Sequence, residues 1–183
     1  MRKRILVAQS VETKEPTDTY KEHVWSCEGY SLAIPENLYT ELLSFRQLNR
    51  EMMESGGFII GRRISGTQTS VADEISTPMR EDFQTRSSFF RNYGHIDWLK
   101  NRWKATHQTG QLLATWHTHP EPIPSPSSTD YGDWRNVLKK CVLPGVPVYF
   151  VIVGQEQIVV WRGLKRKFSR QTFSTCSFEG VIG

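Results

Sequence analysis

Two histidines lie one residue apart in the stretch TWHTHPEPIPSPSSTDYGDW, which runs from Thr115 to Trp134. His117 and His119 end an apolar run that predicts a strand, where residues two apart point to the same face. Ser127 and Asp130, three residues apart at the start of a predicted helix, share a helix face. Two neutral imidazoles and a carboxylate are a ligand set that zinc uses in hydrolases, with a fourth position left for water. The spacing therefore predicts a zinc site.

Each fragment also has a purely structural interpretation. An H-x-H pair alone is more often a feature of a surface strand, and S-x-x-D is close to a capping box that satisfies the free N–H groups of a helix start. Short motifs in isolation are weak predictors of function. The proline-rich run 120–126 joins the two fragments, and its stiffness allows it to carry the helix start back over the strand end. The combination favours the metal site.

Hydrolysis at a metal also needs a base, and Glu54 in ESGGFIIG stands at a predicted helix-to-strand junction. An acid before two glycines indicates by itself only the end of a helix. Near a metal, however, a carboxylate can take a proton from the attacking water and return it to the leaving amine. Glu54 is therefore the candidate general base.

Alternating helices and strands must position these residues. Apolar residues recur every three and four positions over 35–53, which predicts an amphipathic helix that Gly56 and Gly57 end. Further helices are predicted over 95–106 and 127–140, and strands over 4–9, 30–35, 58–63, 69–76, 111–119, 146–154 and 157–163, the last two as a hairpin. Residues 77–92 have no clean period and are predicted to form an elaborated loop. The order of elements predicts a mixed α/β sheet covered by helices.

The composition is that of a single soluble domain. The chain has 183 residues, 38% of them hydrophobic and 23% charged, which excludes disordered and fibrous classes. The net charge is only +4 and the basic residues are dispersed, whereas nucleic-acid binders concentrate them on one surface, so nucleic-acid binding is not expected. The run LKRKFSR is interpreted as a solvated face.

Nothing in the sequence indicates export or a membrane. No stretch reaches the roughly 20 apolar residues of a membrane span, and the N-terminal ILVA run is too short for a signal peptide. Cys27, Cys141 and Cys176 have wide and irregular spacing, which favours reduced buried thiols over disulfides or a zinc ribbon. A cytoplasmic location is expected.

The candidate residues together resemble the JAMM motif of the JAB/MPN metalloprotease family. That motif has an acidic residue before a glycine-containing strand, then H-x-H-P, seven residues, and S-x-x-D, and every position is filled here. The resemblance spans residues 30–163 in element order. It implies a single JAB/MPN domain over 30–183, with a central mixed sheet flanked by helices and a zinc site at a strand end. Residues 1–29 would be an N-terminal extension packed on this domain.

The resemblance also implies a role for each residue. His117, His119 and Asp130 would bind Zn²⁺, and Glu54 would hold and deprotonate the water at the metal. Ser127 would help to stabilise the oxyanion that forms on the substrate carbonyl, as a second catalytic residue.

Neighbouring residues have less defined expectations. Trp116 and Trp134 flank the motif, and either could form a wall of the site, although core packing is the commoner role of a tryptophan. Thr118, between the histidines, should point to the opposite face of the strand.

The resemblance implies hydrolysis of amide bonds at the C-terminal tail of a protein. The segments 77–103 and 116–134 are similar to the JAB deconjugases of bacterial antiphage operons, where a nucleotidyltransferase (CD-NTase) is joined through its own C-terminus to other molecules. The expected function is a zinc-dependent isopeptidase of antiviral defence that acts on such a protein conjugate. The alternatives are processing of another ubiquitin-like or sulfur-carrier tail, and a non-catalytic MPN scaffold that only binds partners.

Overall fold

The computed structural model of the protein describes residues 21–141, 143–166 and 171–182. Its strands are β1 (Glu22–Cys27), β2 (Tyr30–Pro35), β3 (Gly56–Arg63), β4 (Thr69–Ile75), β5 (Phe83–Thr85), β6 (Ser88–Phe90), β7 (Gln111–Thr118), β8 (Pro147–Val153), β9 (Ile158–Lys165), β10 (Gln171–Thr175) and β11 (Ser177–Ile182). Its helices are α1 (Glu36–Ser44), α2 (Tyr93–Ala105) and α3 (Ser128–Cys141). Within these ranges no helix has the length and apolar character needed to cross a membrane.

One large mixed sheet organises the fold. Its nine strands have the order β10-β9-β8-β7-β3-β4-β2-β1-β11, and β5 and β6 form a separate hairpin. The pairs β7–β8 and β2–β4 are parallel, whereas the other neighbours in the sheet are antiparallel. The predicted mixed α/β fold is confirmed. The histidine-bearing strand β7 lies near the centre, where β3 and β8 hold it from both sides.

Helices cover both faces of this sheet. Every residue of β8, PVYFVIV, is buried, which is why this run is apolar without alternation. Tyr149 and Val151 pack in the cluster that contains the buried face of α1. Phe150 and Ile152 pack in the cluster that contains the buried face of α3. The centre of the sheet, next to β7, is therefore closely packed on both faces.

The predicted helix over 35–53 is wrong beyond Ser44. The chain leaves the helix because Gln47 is fully buried and its side-chain amide donates to two backbone carbonyls, those of Met52 (3.1 Å) and Arg86 (2.8 Å). The apolar residues that continued the period do not form a core face, since Leu48 and Met53 are exposed.

Gly56 and Gly57 do not end a helix, as the sequence suggested, but begin β3. Both are needed because other groups approach the backbone closely. A Cβ on Gly57 would lie 2.1 Å from the Ser76 carbonyl oxygen, and one on Gly56 would lie 2.5 Å from the Phe89 ring. These glycines bring β3 close to the elements around the candidate site.

The other predicted elements are confirmed with small shifts at their ends, including the closing hairpin β8–β9. The irregular segment 77–92 contains the short hairpin β5–β6. Strands β10 and β11 were not predicted, because the residues of β10 are only partly buried, those of β11 are mostly exposed, and neither carries a clear alternation. The predicted strand over 4–9 lies outside the described residues. β1, within the predicted extension 1–29, pairs with β2 in the main sheet, and the boundary at residue 30 stays a prediction.

The two edge strands of the sheet are neighbours in the chain. β10 pairs with β9 at one edge, β11 pairs with β1 at the other, and only Cys176 separates them. The sheet must therefore curl until its two edges meet. At that seam Cys27 and Cys176 are buried free thiols, and burial beside Cys27 raises the pKa of the Cys176 thiol to about 12. The Cys176 thiol is consequently protonated and unreactive at neutral pH.

Candidate metal centre and active site

The end of β7 fixes both histidines through the backbone. The N–H of Thr118 donates to the Ser55 carbonyl (2.9 Å) and that of His119 to the Val153 carbonyl (3.0 Å). The Nε2 atoms of His117 and His119 are thereby 3.1 Å apart. Each histidine is only 8% exposed, which excludes most water from the pair.

The first turn of α3 brings a carboxylate to this pair. Asp130 Oδ1 lies 3.0 Å from His117 Nε2, and Asp130 Oδ2 lies 3.5 Å from His119 Nε2. One ligand atom from each of the three residues lies within 4.8 Å of the others. The predicted set therefore converges.

Ser127 and Asp130 also cap the helix, so the structural interpretation of S-x-x-D holds as well. The Ser127 N–H donates to Asp130 Oδ2 (2.6 Å), and the Asp130 N–H donates to Ser127 Oγ (3.2 Å). This reciprocal pair is the arrangement of a capping box, with aspartate in the acidic position. The cap holds the carboxylate against the histidines, so both interpretations describe one feature.

Glu54 lies next to the cluster, immediately before β3. Its Oε1 is 3.9 Å from His119 Nε2, and the residue is 4% exposed. The hairpin β5–β6 holds its backbone, because the Glu54 N–H donates to the Thr85 carbonyl (2.7 Å) and Gln84 Nε2 donates to the Glu54 carbonyl (2.9 Å). Glu54 is thus near the three ligand atoms without belonging to their group.

The charges in the cluster favour a bound cation. Burial opposes ionisation of Asp130, but hydrogen bonds from His117 and His119 hold its pKa far below the ordinary value. Burial lowers the pKa of His117, which favours the neutral imidazole, whereas at His119 burial is outweighed by the bond to Asp130 and the charges of nearby carboxylates, which together raise the pKa. Metal binding needs a neutral imidazole and an ionised carboxylate. Two imidazole nitrogens and a carboxylate oxygen suit Zn²⁺ in type and number, with a further position for water or substrate.

A cavity of about 350 Å³ opens onto the cluster and contains all five predicted site residues in its lining. Residues 87–91 of the hairpin form another part of the wall. Arg91 pairs with Asp133 there and lies over the Phe58 ring, 5.2 Å from its centre. A polypeptide could reach the cluster through this opening.

The remaining expectations have mixed outcomes. Trp116 and Trp134 are both almost fully buried in the core and form no wall of the cavity. Thr118 does point away from the histidines, since its Oγ1 donates to Gln47 (3.1 Å) and accepts from the Ser55 N–H (3.0 Å). Sequence reasoning missed the hairpin residues such as Phe89 and Arg91, because residues 77–92 carry no periodic signal.

Stability of the metal-free protein should reveal the burial of Glu54. Burial, with Asp130 nearby and partly offset by His119, raises the pKa of Glu54 from 4.5 to about 7. A raised folded pKa favours folding below the unfolded value, and this contribution is lost as the pH rises through about 7. The uncharged variant Glu54→Gln should therefore be the more stable protein above this pH, by up to about 3 kcal/mol. Below the unfolded pKa the difference should vanish.

Urea unfolding in the presence of a chelator, at pH values on either side of this range, measures the difference. Glu51→Gln, an exposed acid on the same segment, is the matched control and should change little at either pH. Equal stabilities of wild type and Glu54→Gln at high pH would contradict the expected burial penalty.

Comparison with known proteins identifies the family of the chain. Residues 35–164 match the family described as prokaryotic homologs of the JAB domain. A CD-NTase/cGAS isopeptidase of Vibrio cholerae is 32% identical over 137 residues, which are 74% of this chain and 83% of that protein. A protein of the same name from Escherichia coli is 31% identical with the same coverage.

A solved structure has a similar fold. The solution structure of a protein from Desulfitobacterium hafniense superposes with a TM-score of 0.52 at 15% identity, covering 80% of this chain and 88% of the other. At this identity the likeness concerns the fold alone. The family match covers most of the chain, including every residue of the cluster, and on this ground the protein belongs to the family of prokaryotic JAB-domain homologues.

Proposed function

We propose that this protein is a zinc-dependent isopeptidase that releases a CD-NTase from conjugates formed through its C-terminal tail. The observation that carries the proposal is the convergence of His117, His119 and Asp130 beside the buried Glu54, in a cavity open to a substrate. The names of the similar proteins supply the substrate class. The reaction belongs to antiviral defence in the bacterial cytoplasm.

His117, His119 and Asp130 would hold the metal. Zinc, when bound, supplies Lewis-acid polarisation of the reacting groups. Glu54 takes a proton from the attacking water and passes it to the leaving amine as the carbon–nitrogen bond breaks. The products are a free carboxylate on the tail and a free amine on the other partner.

Ser127 would stabilise the oxyanion that develops on the scissile carbonyl. Its Oγ accepts the bond from the Asp130 N–H, which leaves the hydroxyl proton free to point into the cavity. A hydroxyl held in this way is preorganised as a hydrogen-bond donor, which is the property that oxyanion stabilisation requires.

The substrate can be tested directly by intact-mass spectrometry of a purified CD-NTase conjugate. The zinc-loaded protein should release the CD-NTase with an unmodified C-terminal carboxylate. Chelator should stop the release, and added zinc should restore it. Failure of the zinc-loaded protein to cleave this conjugate, with activity on another ubiquitin-like or sulfur-carrier tail, would overturn the proposed substrate. Failure on every such tail would favour the non-catalytic scaffold.

Replacing Ser127 with alanine should slow cleavage without abolishing it. Loss of one oxyanion donor typically costs about 10²–10³ in kcat. Loss of the cap should in addition lower the free energy of unfolding by about 1 kcal/mol. Steady-state kinetics and thermal unfolding measure the two effects. Ser128→Ala, one position along, is the control, and equal kcat losses in both variants would exclude the proposed role.

A further inference from the structure

Three buried polar side chains form a chain of hydrogen bonds behind the cavity wall. Ser76 Oγ lies 2.9 Å from His95 Nδ1, and His95 Nε2 lies 2.9 Å from Asp82 Oδ2. The side chains of His95 and Asp82 have no exposed surface, and Ser76 is 2% exposed. The arrangement has the residue types of a serine hydrolase triad, but no substrate can reach Ser76. The three side chains can therefore act only through the elements that they contact.

The direction of the hydrogen bonds follows from the donor at one end. The Phe58 N–H donates to Ser76 Oγ (2.8 Å), so the Ser76 hydroxyl has its own proton to give to His95 Nδ1. His95 then carries its proton on Nε2 and donates it to Asp82. This assignment satisfies every member of the relay Ser76–His95–Asp82.

Asp82 joins the two ends of the segment 77–92, which carries the hairpin. It accepts the N–H of Met79 (2.7 Å) near the start of the segment, and the N–H (2.9 Å) and side-chain amide (2.7 Å) of Asn92 at its end. Together with the bond from His95, one carboxylate joins both ends of the segment to α2. Burial opposes ionisation of this group, but the bonds from His95 and the two backbone N–H groups lower the pKa of Asp82.

Strand β5 of the same hairpin is hydrogen-bonded to the backbone of Glu54. The Thr85 carbonyl accepts from the Glu54 N–H, and Gln84 Nε2 donates to the Glu54 carbonyl. The N–H and the carbonyl of Glu54 are therefore both bonded to the hairpin.

Of the three candidate metal ligands, His117 lies in β7, His119 follows β7 directly, and Asp130 lies in α3. These elements also contact the segment, because the Ser76 carbonyl accepts from Trp116 Nε1 in β7 (2.9 Å) and Arg91 pairs with Asp133 of α3. Neither contact uses the His95 side chain, so its loss leaves both in place.

We propose that His95, together with Ser76 and Asp82, is a positioning residue for Glu54, acting through the hairpin. This inference rests on the proposed function, in which Glu54 transfers the proton. The bonds of the relay fix the position of the hairpin. The hairpin in turn fixes the backbone of Glu54 and therefore the position of its carboxylate relative to the attacking water. Loss of the relay therefore weakens catalysis while metal binding remains.

Two variants of His95 and one matched control test the proposal. His95→Ala removes both bonds and should lower kcat by about 10-fold to 100-fold, since misplacement by about 1 Å can cost that much. His95→Gln keeps a side-chain N–H able to reach Asp82 and should recover most of the activity. Tyr149→Phe removes another buried hydrogen bond, from Tyr149 to the Ser31 carbonyl (2.9 Å), and should leave kcat unchanged.

Zinc content and amide hydrogen exchange distinguish positioning from general destabilisation. In His95→Ala the zinc content should stay at the wild-type value, whereas exchange over residues 77–92 and at Glu54 should become faster. In Tyr149→Phe exchange over 77–92 should not change. If His95→Ala fails to fold, two variants test the path in parts. Asn92→Ala removes a bond between Asp82 and the segment that carries the hairpin, and Gln84→Ala removes the bond between the hairpin and the Glu54 carbonyl. Both should have a lower kcat and faster exchange at Glu54.

Wild-type kcat and wild-type exchange in His95→Ala would overturn the proposal, as would an equal kcat loss in Tyr149→Phe. The hydrogen-exchange readout does not depend on turnover. An inactive zinc-loaded wild type would therefore refute the isopeptidase alone. Faster exchange at Glu54 in His95→Ala would still support the positioning role, and unchanged or slower exchange would still overturn it.

Discussion

Glu54→Ala should bind zinc as the wild type does and lose essentially all cleavage of a conjugate. The carboxylate lies 3.9 Å from His119 but is not among the three side chains whose ligand atoms converge, so its removal leaves the ligand set intact. A positioned general acid–base is typically worth 10²–10⁴ in rate, and the expected fall in kcat is of that order. Single-turnover cleavage and metal analysis of the purified protein measure the two properties.

Glu51→Ala is the control for this experiment, because Glu51 is an exposed acid three residues earlier on the same segment. It should have wild-type zinc content and wild-type kcat. Wild-type cleavage by Glu54→Ala would sink the proposed mechanism, since no other residue of the scheme moves the proton.

His119→Ala should lose zinc and activity together. The imidazole is one of the three candidate ligands, and without it the ion would be held by His117 and Asp130 alone. Losing an outer partner of a ligand costs 10–100-fold in metal affinity, so loss of the ligand itself should cost at least about 100-fold. Competition with a chromogenic chelator gives the affinity, and cleavage is measured at matched total zinc.

An exposed histidine provides the control. His107 has a φ of 50°, in the left-handed region that asparagine tolerates, so His107→Asn removes an imidazole with little strain. The His107→Asn variant should have the zinc affinity of the wild type. A His119→Ala protein with wild-type zinc affinity would show that the ion binds elsewhere and would remove the basis of the site.

The sequence was most informative where local pattern and burial agree. β7, β8 and α3 carry strong apolar patterns and lie in the core, so both their type and their place in the chain were predictable. The five candidate site residues cluster because β7, β8 and the start of α3 meet the start of β3 at one end of the sheet. Motif spacing could therefore anticipate which residues converge.

The failures have a common physical cause in contacts between distant parts of the chain. The helix predicted over 35–53 ends early because Gln47 binds the carbonyl of Arg86, far along the sequence. The hairpin β5–β6 is held by Asp82 and by Glu54, and no periodicity within 77–92 encodes those bonds. The relay through His95 could not be predicted from the sequence either, because it joins three segments that come together only in the folded protein.

The seam at Cys176 has a consequence for how the protein forms. Because β10 and β11 complete opposite edges of the sheet, the backbone groups of β9 and β1 lack these partners until residues 171–182 have been synthesised. Unpaired strand edges are templates for association with other chains. A chain that lacks residues 171–182 would therefore have an unpaired strand at each side of its sheet, and it should associate with other chains more readily than a chain that contains them.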